Sequence, residues 1–65
     1  MRYEYIKVKP GMGIRDGVYH GKYKEDLAIV RMLGDLPVLI QLVGGSINNP
    51  TANMCRDCLS LMLPV

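Results

Sequence analysis

Tryptophan and phenylalanine are absent from this 65-residue chain, so any aromatic contact falls to Tyr3, Tyr5, Tyr19 and Tyr23. Histidine occurs once, at His20, and cysteine twice, at Cys55 and Cys58. One chain can therefore offer a metal at most Cys55, Cys58, His20 and a carboxylate or water. No export signal is expected, because the first residues are charged and no apolar stretch follows them. The expectation is a cytoplasmic protein with reduced thiols. The longest apolar run, residues 36–43, is interrupted by Gln41. It falls far short of the roughly 20 residues a membrane helix needs, so no membrane role is expected. Repeats and low-complexity tracts are also missing.

What the chain does have is an apolar excess. Its hydrophobic fraction is 49%, typical of much larger domains. A chain this short holds one domain, here residues 1–65, and buries only about 60% of the surface it exposes when unfolded. Some apolar surface must then meet something other than water. A homo-oligomer is the simplest outlet, since most soluble oligomers are symmetric copies of one chain.

Charge is unevenly spread. Residues 1–24 hold Arg2, Lys7, Lys9, Arg15, Lys22 and Lys24 against Glu4 and Asp16, a net of +4, while residues 38–65 hold only Arg56 and Asp57. All four tyrosines lie in that basic front.

Residues 2–9 alternate, with Tyr3, Tyr5, Lys7 and Lys9 on one side and Glu4, Ile6 and Val8 on the other. That is the period of a strand. Pro10-Gly11 ends it, and Val18–Lys24 reads as a short strand around Gly21. Over residues 26–43, two apolar runs flank Gly34-Asp35, which predicts a hairpin with glycine at a positive φ. A helix over residues 25–33 is the competing reading. Gly44-Gly45-Ser46 reads as a loop. Asn49-Pro50 then reads as a helix cap and first turn. Met54, Cys55, Cys58, Leu59 and Met62 share one face of a helix over 50–62. Leu59, Leu61, Leu63 and Val65 also alternate, so a terminal strand competes with that helix. The expected architecture is a β-rich α+β domain: a small curled sheet or partly open barrel of about four strands, the central hairpin 26–43 and one C-terminal helix.

Three groups of residues could carry function. Tyr3, Tyr5, Lys7 and Lys9 share a strand face, where ammonium groups can meet phosphates and rings can stack on bases. Lysines that keep an edge strand soluble give the same pattern. The loop holding Gly11, Gly13 and Arg15 could gather backbone N–H groups around an anion, yet no Gly-Lys-Ser/Thr follows it and tight corners use glycine too. Cys55 and Cys58 have the spacing of half a zinc site, which a symmetric dimer could complete; on an apolar face they also suit core packing. If Asn49 is the cap, Cys55 lies too deep in the helix for a redox role.

Catalysis is not expected, because 65 residues leave little scaffold to hold a second shell around reacting groups. The leading expectation is a non-enzymatic module without a cofactor. It self-associates through its apolar C-terminal half and binds a nucleotide or single-stranded nucleic acid at Tyr3, Tyr5, Lys7 and Lys9, with Gly11, Gly13 and Arg15 in support. The alternative is a protein-interaction or inhibitor module that docks through exposed apolar surface, with a zinc-stapled dimer as a further possibility.

Overall fold

A computed structural model describes residues 2–9, 11–50 and 58–65. Six strands form one antiparallel sheet: β1 Tyr3–Lys7, β2 Gly17–Tyr23, β3 Asp26–Leu33, β4 Leu36–Leu42, β5 Gly45–Asn48 and β6 Leu59–Pro64. Across the sheet the order is β1-β6-β2-β3-β4-β5. Strands β2 to β5 form a meander of hairpins, and the last strand inserts between the first two.

Period-2 side chains give the sheet one dry face. Tyr23, Ala28, Val30, Met32, Ile40, Leu59 and Leu61 are buried there, each of the larger aliphatics contributing about 1.5–3 kcal/mol. The connection between β1 and β2 covers part of this inner face, because Ile14 is buried in the same cluster and Val8 packs against it. The opposite face is left uncovered within the described residues.

The turns follow backbone chemistry. Gly34 sits at φ +63 in the β3–β4 turn, the left-handed region that glycine enters at no steric cost. Lys24 and Glu25 join β2 to β3 with φ of 50 and 70. This two-residue connection has the positive dihedrals of a type I′ turn without the residues that usually supply them.

The expected α+β architecture is corrected. The described residues form an all-β sheet of six strands, not about four, and no α-helix occurs among them. Residues 51–57 of the expected helix 50–62 lie outside the described residues, while its C-terminal part is β6. Leu59 and Leu61 are fully buried, and β6 satisfies its backbone on both sides, pairing with β1 over five positions and β2 over three. A helix there would leave β1 and β2 without their shared partner. The amides that a cap at residue 49 would hold lie outside the described residues, and what is described is the backbone of Asn49 itself. Its φ is +50, outside the extended region an N-cap uses, and its N–H donates to the Val38 carbonyl at 3.2 Å. Residues 45–48, read as loop and helix approach, form the edge strand β5 on β4.

Gly21 fixes the packing of β2 on β6. It pairs with Leu61 on one side and Ala28 on the other. A Cβ there would run into the Ser60 carbonyl oxygen and lie 3.2 Å from a Leu61 methyl.

Candidate functional site

The uncovered outer face is built by register. Lys7 pairs with Ser60, Ser60 with Lys22 and Lys22 with Leu27, which makes one row of side chains across four strands. His20, Ile29, Gln41 and Ser46 make a second row. Val18, Arg31, Leu39 and Asn48 make a third. On β1, Tyr5 pairs with Met62 and Tyr3 with Pro64, so both rings stand on this same face.

A groove of about 520 Å³ crosses the face, lined by Tyr5 and Met62 at one end, His20, Leu27 and Ile29 in the middle, and Gln41 with Val43 at the other. Its walls come from five of the six strands. Lys22 Nζ lies 4.4 Å from the centre of the Tyr5 ring, an attraction of roughly 0.5–1 kcal/mol at an exposed site. That contact holds a cation at the groove's edge.

The electrostatics of the face are one-sided. Lys7, Lys22 and Arg31 share it, with His20 between them. None of the five described carboxylates stands on the outer faces of the strands. Glu4 and Asp26 have the opposite parity, while Asp16, Glu25 and Asp35 lie between strands. Apolar side chains are also exposed there, notably Val18 (65%), Leu27 (64%) and Leu33 (59%). A second groove, near the β2–β3 and β4–β5 turns, carries Glu25 and Asp26 and so has the opposite sign.

The glycine loop has a different use. Gly11 and Gly13 adopt φ of +81 and +75, and their amides converge on a carboxylate, as an anion nest requires. The carboxylate is the chain's own Asp35, which accepts from Gly11 at 3.1 Å, Gly13 at 3.2 Å and Ile14 at 2.6 Å. Asp16 returns the contact by accepting from the Gly34 amide, so the β1–β2 loop and the β3–β4 turn clasp each other. The hydrogen bonds from Ile14 and Gly13 hold the Asp35 carboxyl below the ordinary value of 3.8, outweighing the effect of burial.

A lowered folded-state pKa makes the clasp strongest above the unfolded value and weakens it as pH falls through the folded value. Hydrogen-exchange protection of the Ile14 amide, corrected for intrinsic rate, should hold from neutral pH down to about pH 4 and fail below it. In Asp35→Asn that protection should be lower throughout and no longer follow pH.

Of the residues expected at the site, Tyr3, Tyr5 and Lys7 come together as anticipated from their strand. Lys9 is exposed beyond the end of β1. Arg15 belongs elsewhere, since its carbonyl accepts from the hydroxyl of Tyr19 at 2.7 Å and Tyr19 packs against the core. Gly11 and Gly13 serve Asp35 rather than the tyrosine face. Cys58 is half-buried against the core, and Cys55 lies outside the described residues. Among the described residues no group of three His, Cys, Asp or Glu is placed to hold a metal. Lys22, Ile29, Arg31 and Gln41 were not anticipated as site residues, and His20 only as a possible metal ligand. Arg31 shares its parity with Ile29 and Leu27 in the sequence, which was the available signal. Comparison with protein-family models, with curated proteins and with solved structures gives no match.

Proposed function

We propose that this chain is a non-enzymatic binding module that takes single-stranded nucleic acid or a nucleotide on the outer face of its sheet. The observation that carries this reading is the sign of that face: its ionised side chains are all cationic, and they stand around an apolar groove bordered by tyrosine. Bases gain by entering such a groove or stacking on Tyr3 and Tyr5, while phosphates meet Lys7, Lys22 and Arg31.

The same charge argues against two copies packing outer face to outer face, because like charges set against each other cost several kcal/mol. Self-association fits better at the end of the β3–β4 hairpin, where Leu33 and Leu36 pair and are both exposed. Docking of another protein would use that same apolar end.

The test is fluorescence anisotropy of a labelled six-thymidine DNA strand with the purified chain. Three phosphate contacts on a single strand give a log–log salt slope near −2, so affinity should fall about 15- to 20-fold between 50 and 200 mM salt. Binding that ignores salt, or no binding at low salt, contradicts the proposal.

A further inference from the structure

Resting on that reading, we infer that the outer face is built for a strand of several nucleotides and not for a single nucleotide. The argument is the spacing of its cations. Lys7 and Lys22 stand in one register row with Ser60 between them, so their strands are about 10 Å apart. Arg31 stands two rows away. It is four residues along β3 from Leu27, the partner of Lys22, which puts the rows about 13 Å apart. Between them lies the row of His20, Ile29 and Gln41, which carries no permanently charged group.

A nucleoside monophosphate has one phosphate group, and the directly linked phosphates of a di- or triphosphate lie too close together to meet both charged rows, about 13 Å apart. A stacked strand advances about 3.4 Å per nucleotide and an extended one about twice that, so 13 Å corresponds to two to four steps. The tyrosines have matching spacing. Tyr3 and Tyr5 are two residues apart on one face of β1, about 7 Å, and both rings are exposed, at 54% and 38%. Successive bases of an opened strand can therefore lie on successive rings, with the middle row beneath the neighbouring bases. Such use of aromatic platforms beside cations tolerates any sequence, because every base has a face to stack.

This sets a length threshold. Affinity of the full chain is measured for thymidine 5′-monophosphate and for thymidine strands of two, three, four, six and eight nucleotides, with a parallel uridine series. The expected result is a rise of at least 30-fold between the monophosphate and the four-nucleotide strand, and less than threefold from four to eight. The contacts use phosphate and base alone, so the uridine series should track the thymidine series within a few-fold. In Arg31→Ala the six-nucleotide strand should lose about tenfold while the dinucleotide changes less than twofold. A monophosphate that binds as tightly as six nucleotides overturns this inference and leaves the anionic-ligand reading standing. Failure of every member of both series to bind overturns that reading itself.

Discussion

Reversing two charges, Lys22→Glu with Arg31→Glu, should lower affinity for a six-thymidine strand by at least 100-fold at 50 mM salt. A cation 4 Å from a phosphate is attracted by about 1 kcal/mol in bulk water and about 4 kcal/mol at an effective dielectric of 20. Reversal removes that attraction and adds repulsion of similar size. Two such sites readily exceed the roughly 2.7 kcal/mol that corresponds to 100-fold. The salt slope should also collapse, since only Lys7 would remain from the three contacts.

The control separates place from net charge. Arg15→Glu with Lys24→Glu changes total charge by the same amount, but neither residue belongs to the rows of the outer face. Arg15 is tied to Tyr19 through its carbonyl, and Lys24 lies in the β2–β3 turn near the Tyr23 ring. That double variant should lose less than about fivefold, the weak effect of distant screened charge. Equal losses in the two double variants would mean that overall charge, and no particular face, draws the ligand.

Gly21→Val should be the most damaging single substitution in the sheet. The obstruction begins at Cβ, which would meet the Ser60 carbonyl oxygen, and the branches would then press on Leu61 and Val30. Overpacking a core typically costs 1–3 kcal/mol, and here the blocking atom is paired backbone that cannot turn aside. About 3 kcal/mol is a large share of what a small domain has in total. At 4–8 °C per kcal/mol for this size, thermal unfolding followed by circular dichroism should move down by at least about 12 °C. Trimming the neighbour in Gly21→Val/Leu61→Ala should not restore it, because the carbonyl remains and a cavity is added. A shift below about 3 °C would show that β6 does not pack on β2 as described.

The strands that a single stretch of sequence determines were readable from it. The alternation of residues 2–9 yields β1, and Gly34-Asp35 between two apolar runs yields the β3–β4 turn. At residues 59–64 two periods overlap: Leu59, Leu61 and Leu63 alternate, while Cys58, Leu59 and Met62 also fit a helix face. Local pattern could not choose between them. The choice comes from β1 and β2, which lie far away in sequence and each need an antiparallel partner at that place. β5 was missed because Gly45, Ser46 and Asn48 have turn chemistry and pair only because β4 presents an open edge.

The candidate site divides in the same way. Tyr3, Tyr5 and Lys7 lie on one strand, so their shared face followed from parity alone. Lys22, His20, Arg31 and Gln41 lie on three other strands, and only register places them in rows with Lys7. The glycine loop was legible as a gathering of amides. Its occupant, Asp35, is more than 20 residues further along the chain and became visible only when the loop met the β3–β4 turn.

The central claim is that the outer face, and not the glycine loop or the hairpin end, takes the ligand. Amide chemical-shift mapping of the labelled chain with a six-thymidine strand tests it most directly. The largest changes should fall on Tyr5, His20, Lys22, Ile29, Arg31 and Gln41, with Gly11, Gly13, Ile14 and Asp35 almost still. Changes centred on Gly11–Ile14, or confined to Leu33 and Leu36 while Tyr5, Lys22 and Gln41 stay still, would contradict it.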